Sequence, residues 1–284
     1  MALRHNRAML KSFITRFTRP PVDIPAELWE ETLAAYPFLA RLAPDAREKL
    51  RELAQELLVT KQMAGAGELE LTAAMQVAIA AQACLPVLEL GLDWYRGWSS
   101  IVVYPGEFIV PRRLTDDAGV VHEYEEPISG EAWEGGPLLL SWADAQANAS
   151  ESGSAYSVVI HEFAHKLDML DGEADGVPPF SAKLHAGLDL RRWRATLDDA
   201  YGRFVAELQM VEHELPAHLD PESADADAYY AHLPLDPYAA QEPGEFFAVS
   251  AEAFFVAPDG LQRAFPDWYA LLAAFFRQDP QRVQ

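Results

Sequence analysis

The sequence predicts an α+β fold: helices first, then a small mixed sheet, then helices again. Three observations carry this. Residues 24–96 hold three apolar patterns of helical period, and residues 97–142 switch to short β-branched or alternating runs between turns. From Ser154 onward the helical rhythm returns.

Ile24-Pro25-Ala26-Glu27 opens the first helix, with proline tolerated in the first turn. Pro44-Asp45-Ala46-Arg47 opens the second, whose Leu50, Leu53, Leu57 and Leu58 form one stripe. Gly65-Ala66-Gly67 is a break, and the third pattern, Leu71 to Leu85, is apolar enough for a core helix. Strands are expected at Ser100–Tyr104, Phe108–Val110, Val120–Glu125 and within Gly136–Trp142. The acidic stretch from Glu212 to Ala228, with Pro216 and Pro221, reads as a surface loop. Helical patterns over Gly244–Val256 and Pro266–Arg277 close the chain. The expected organisation is a basic tail at 1–22, a helical region at 23–96 and a catalytic region at 97–284, the last two forming one compact unit.

Half of the 284 residues are hydrophobic and 23% are charged, which suits a globular core and argues against global disorder. Net charge is −22, and Arg4, Arg7, Lys11, Arg16 and Arg19 all precede the first acid, Asp23. Beyond that tail, 17 cations face 44 acids, a surface that repels phosphate backbones and excludes nucleic-acid binding. The basic leader lacks an unbroken apolar stretch and a small-residue cleavage site, so no secretory signal is expected. The run from Thr72 to Leu88 is too short and too polar to span a bilayer, so no membrane partner is expected. The single cysteine, Cys84, lies in an apolar run, allows no intrachain disulfide and reads as a buried inert thiol in a reducing cytosol.

The chemistry concentrates in Val158-Val159-Ile160-His161-Glu162-Phe163-Ala164-His165-Lys166-Leu167. Histidines four apart on a helix project from one face, one turn apart, and both imidazoles can reach one metal ion. Glu162, beside the first of them, can take a proton from a metal-bound water. The flanking apolar residues bury this helix, and a buried carboxylate beside two histidines is costly unless a cation compensates it. One zinc ion per chain is the expected cofactor. A structural zinc would use four protein ligands and no spare base.

A catalytic zinc keeps three protein ligands and one open position, so a third donor is required. Asp171 stands six residues after His165, where one ligand pattern places it, but Asp168 occupies the position where that pattern has a helix-breaking glycine. Asp171 fits a turn at Leu170-Asp171-Gly172 equally well. Glu245 and Glu252 are seven apart on the near-uniformly apolar helix that follows Pro243, and buried carboxylates need a partner. Glu245 is the better third ligand, against the alternative of an N3 cap for its own helix. Glu252 either orients a ligating histidine or pairs with an arginine.

His-Glu-Phe-Ala-His-Lys-Leu-Asp at 161–168, Asp-Pro-Tyr-Ala-Ala at 236–240, Glu-Phe-Phe-Ala-Val at 245–249 and Cys-Leu-Pro-Val-Leu-Glu-Leu-Gly-Leu-Asp-Trp at 84–94 resemble the Mlc titration factor A family. The resemblance runs from about Leu42 to Pro280. It implies a cytoplasmic bacterial zinc peptidase of aminopeptidase-like activity, with a zincin-like, gluzincin-type helical core similar to that of anthrax lethal factor. It implies His161, His165 and Glu245 as metal ligands, Glu162 as base and Tyr238 as support for the transition state; on residues alone, Tyr238 reads as packing against the sheet. The implied partners are a peptide substrate and an Mlc-like transcriptional repressor, and sequestering such a repressor is the alternative function. Gly244 stands where the family pattern leads one to expect alanine, a change expected to loosen the helix start. The strand within Leu138–Trp142 is expected to hold a substrate backbone by strand addition.

Overall fold

Proline fixes where many of the helices begin. In the computed structural model, which describes residues 22–115, 121–146, 155–216, 218–221, 223 and 225–282, five helices open with proline in the first turn. There its fixed φ suits the helix and its missing N–H leaves no bond unmade. The basic-tail reading falls, apart from Val22, on residues outside the described ones.

The N-terminal helices are α1 (Ala26–Ala35), α2 (Pro37–Ala40), α3 (Pro44–Thr60) and α4 (Ala73–Cys84). Leu50, Ala54 and Leu57 of α3 are buried, with Leu53 and Leu58 half-buried beside them. The Thr72 side chain caps α4 by accepting from Met75 N at 3.2 Å. From Val77 to Cys84 every residue of α4 is buried, as a core helix requires, and burial pushes the Cys84 thiol well above its usual pKa.

Four strands form the main sheet: β1 (Gln62–Gly65), β2 (Ser100–Tyr104), β5 (Gly130–Ala132) and β6 (Leu138–Ser141), in the order β1-β2-β6-β5. β1, β2 and β6 run parallel and β5 returns antiparallel beside β6, so the sheet is mixed as expected. β3 (Phe108–Thr115) and β4 (Val121–Ile128) make a separate antiparallel pair. The expectation that Leu138–Trp142 offers an edge to substrate is overturned. β6 is bonded on both sides and buried throughout, and Trp142 already begins α5 (Trp142–Ala145). The edge on that side is β5.

The C-terminal half holds α6 (Val158–Asp168), α7 (Leu190–Glu214), α8 (Asp227–Tyr230), α9 (Pro243–Val256), α10 (Pro258–Ala264) and α11 (Pro266–Phe276). The acidic stretch is less of a loop than expected: Glu212–Glu214 finish α7, and Asp227–Ala228 begin α8. α9 is buried on nearly all sides because it lies against α6, α7, α10 and α11. Phe247, Trp268 and Phe275 pack around Trp193 of α7, and Phe246 lies against Trp268. One continuous buried cluster runs from Ile24 through the sheet to Phe276. Among the described residues no helix is long and apolar enough to cross a membrane.

Candidate metal centre

Every residue of α6 is buried, polar ones included, so the helix imposes strict demands on its partners. Its start is held by Ser157. The hydroxyl accepts from Ile160 N at 3.2 Å and donates to Gln82 Oε1 of α4 at 2.9 Å. The Ser157 N–H donates to Glu252 Oε2 of α9 at 2.6 Å. Neighbouring helices thus fix the rotation of α6 before either histidine is considered.

With that rotation, the His161 and His165 rings stand 4.8 Å apart, edge to face, with their Nε2 atoms 3.1 Å apart. Glu245 Oε2, from the first turn of α9, closes a triangle at 3.0 Å from His161 Nε2 and 3.3 Å from His165 Nε2. Glu252 Oε1 meets His161 Nδ1 at 2.8 Å. Accepting an Nδ1 proton there leaves the His161 Nε2 lone pair facing a carboxylate oxygen, an arrangement that calls for a positive charge between them. Donors at about 2.0–2.1 Å from a tetrahedral zinc lie ~3.3 Å from one another, so this triangle fits such an ion with small adjustment. Among the described residues, His161, His165 and Glu245 are the one group of three or more side chains arranged to hold a metal.

The electrostatics of the ion-free chain report the same need. Burial disfavours a charged His161, yet hydrogen bonds to Glu245 and Glu252 overcome it and lift its pKa well above the imidazole value. Burial pushes Glu245 upward, but its bonds to both histidines hold it well below the usual carboxylate range. Burial raises Glu252, opposed by His161. Burial pushes Glu162 up to about 7, against the pull of His161 and His165. Glu162 is 4% exposed and its Oε2 has no hydrogen-bond partner among the described residues. Such a carboxyl is poised to accept a proton.

Three further residues now have clear places. Tyr238, on a 3₁₀ turn (Pro237–Ala240) whose Asp236 accepts from Tyr238 N, is 42% exposed, with its ring 5.9 Å from the His161 ring. It stands beside the histidine instead of packing into the sheet. Asp171 is exposed beyond the end of α6 and outside the triangle. Asp168, fully buried, accepts from Gly176 N at 2.7 Å.

Other residues escaped the sequence reading. A Cβ on Gly130, in the edge strand β5, would fall 2.4 Å from Glu162 Oε1 and 2.7 Å from its Cγ. The strand passes directly over the carboxylate. Lys166 donates to the carbonyls of Trp133 and Gly136, tying the β5–β6 turn to α6, with its ammonium 4.9 Å from the Trp98 ring centroid. Nothing in the spacing of a lone glycine or lysine marks such contacts. Gln82 and Ser157 carried only a weak signal, polar residues within apolar helical runs.

Known proteins bear on this geometry. A family described as glucose-regulated metallo-peptidase M90 matches residues 12–277. Mlc titration factor A of Klebsiella pneumoniae is 38% identical over 258 residues, 90% of this chain and 88% of that protein. The protein of the same name from Yersinia enterocolitica is 36% identical over 269 residues, covering 94% and 91%. That from Pectobacterium atrosepticum is 36% identical over 255 residues, covering 89% and 87%. A match of this extent, over a chain whose buried histidines and glutamate converge on one point, leads to one conclusion: this protein belongs to the M90 family of glucose-regulated metallopeptidases.

Proposed function

We propose that the chain is a zinc-dependent peptidase of zincin-like, gluzincin type, holding one zinc ion through His161, His165 and Glu245. The observation that supports this most is the triangle of Nε2, Nε2 and Oε2 atoms at 3.0–3.3 Å beside a buried, proton-accepting Glu162. A zinc ion bound there supplies Lewis-acid polarisation and a water of lowered pKa. Glu162 accepts the proton of the attacking water and passes it to the leaving amine nitrogen as the peptide bond breaks. The Tyr238 hydroxyl donates to the oxygen on which charge develops. Glu252 keeps His161 in the tautomer that presents Nε2. An extended substrate would pair along the edge strand β5, which runs over Glu162.

The reading extends to aminopeptidase-like cleavage in the cytoplasm, on the resemblance noted above, and takes residues 23–96 and 97–284 as one compact unit. A second reading is favoured by the relatives' name, Mlc titration factor A. Under it the chain binds an Mlc-like repressor, and hydrolysis is secondary. The presence of Glu162 at the site favours the peptidase, since binding alone needs no base.

Metal analysis tests the ligand set. Purified wild-type protein is expected to carry about one zinc per chain, and His161→Ala, His165→Ala and Glu245→Ala to lose it. Asp171→Ala should keep it. Zinc retained in Glu245→Ala and lost in Asp171→Ala would move the third ligand to Asp171.

A further inference from the structure

At Gly176 and Gly244 two backbone segments approach one another at a distance that no side chain would permit. A Cβ on Gly244 would lie 2.4 Å from the Ala174 carbonyl oxygen, and one on Gly176 would lie 2.6 Å from that of Pro243. Gly176 also has φ +78°, in the left-handed region that favours glycine. The backbone of 174–176 therefore rests directly on the first turn of α9, next to Glu245. Gly244, expected to loosen that turn, is instead what lets the loop approach it.

The loop is pinned from two further sides. Its Gly176 N–H donates to Asp168 Oδ2 at 2.7 Å, and its Gly176 carbonyl accepts from Trp193 Nε1 at 2.8 Å. Asp168 is the last residue of α6 and fully buried. The proposed chemistry uses neither Asp168 nor Trp193. The segment thus runs from the end of the helix bearing both histidines to the start of the helix bearing Glu245, which is 80 residues from His165 in the chain.

We infer that residues 168–177 form a backbone strap that sets Glu245 Oε2 against His161 and His165, with Asp168, Gly176 and Gly244 as positioning residues for metal binding. The inference rests on the reading of those three side chains as the ligand set. Metal–ligand distances tolerate deviations of about 0.2 Å, and making room for one methyl group between two backbones requires more than that. A shifted α9 start carries Glu245 with it, while the histidines, on α6, stay in place.

The test is zinc affinity of the full chain by competition with a chromogenic chelator, read beside the thermal midpoint of the metal-free protein. Gly176→Ala and Asp168→Ala are each expected to weaken zinc binding by about tenfold or more, as loss of groups that position ligands does. Asp168→Asn keeps an oxygen for the Gly176 N–H and should stay within about threefold of wild type, well short of that loss. Trp193→Phe removes the donor to Gly176 O together with part of a buried ring, and should weaken zinc several-fold where the metal-free thermal midpoint shows it folded; it decides the matter if Asp168→Ala does not fold. Wild-type zinc affinity in folded Gly176→Ala and Asp168→Ala, or in Trp193→Phe when it stands in, overturns the strap. Glu245→Ala serves as the reference: if it binds zinc like wild type, the ligand reading itself fails, whatever the strap variants do.

Discussion

The proposed chemistry needs the carboxylate of Glu162, at 4% exposure, to be aimed, and the backbone of Gly130 lies directly against it. Gly130→Ala places a methyl group where Glu162 Oε1 and Cγ now sit, so the carboxylate has to turn. Misplacement of a reacting group by about 1 Å can cost on the order of a hundredfold in rate. We expect at least a tenfold fall in kcat for a peptide substrate, with zinc content unchanged, because the atoms nearest the added methyl all belong to Glu162 and not to the three ligands. Wild-type kcat in this variant would show that Glu162 has room to spare. Under the proposed chemistry Tyr238 acts at a different moment. Tyr238→Phe keeps the ring beside His161 but removes the hydroxyl, and one lost oxyanion donor is worth roughly 3 kcal/mol. The loss should fall on kcat with KM and zinc content near wild type; unaltered kinetics would leave Tyr238 a residue of the rim only.

At the scale of elements, α6 is a helix whose orientation is dictated from outside. Glu252 accepts from the Ser157 N–H at its start and meets His161 Nδ1 one turn later, so one carboxylate touches both the backbone and the candidate metal site. Glu252→Ala leaves a buried amide and a buried imidazole nitrogen without partners. We expect about 2 kcal/mol of lost stability and zinc binding weakened by roughly tenfold to a hundredfold. Unchanged thermal stability together with unchanged zinc affinity would contradict this dual role. The helix itself was legible from His161, Glu162 and His165, because a four-residue spacing has one meaning on a buried helix. So was α9, because two carboxylates in an apolar helix demand a partner. β1 was not legible: Gln62-Met63-Ala64-Gly65 is short and lacks β-branched residues, and it is a strand only because β2 lies alongside. β6 was recognised as a strand, but its interior place depends on Gly130-Glu131-Ala132, which carry no strand pattern of their own. α7 had its signal in Trp193, Leu197, Ala200, Phe204, Leu208 and Val211, yet its bounds were not drawn from it.

On the scale of the whole molecule, the site is an assembly of distant segments. α4 supplies Gln82, β5 the glycine over the base, α6 the histidines and Glu162, and α9 both carboxylates. What the sequence conveyed was the donor chemistry; what it could not convey was which backbones approach one another. Gly244 illustrates the difference, since its need arises from Ala174, a residue with no local relation to it. The acidic surface agrees with a partner that is not nucleic acid. The central claim is that a metal held by His161, His165 and Glu245 works with Glu162 as base on a peptide bond. Its most direct test is Glu162→Gln, assayed for zinc and for peptide turnover in the same preparation. The account predicts about one zinc per chain, as in wild type, with turnover reduced by on the order of a hundredfold or more. Undiminished turnover at full zinc occupancy would contradict it.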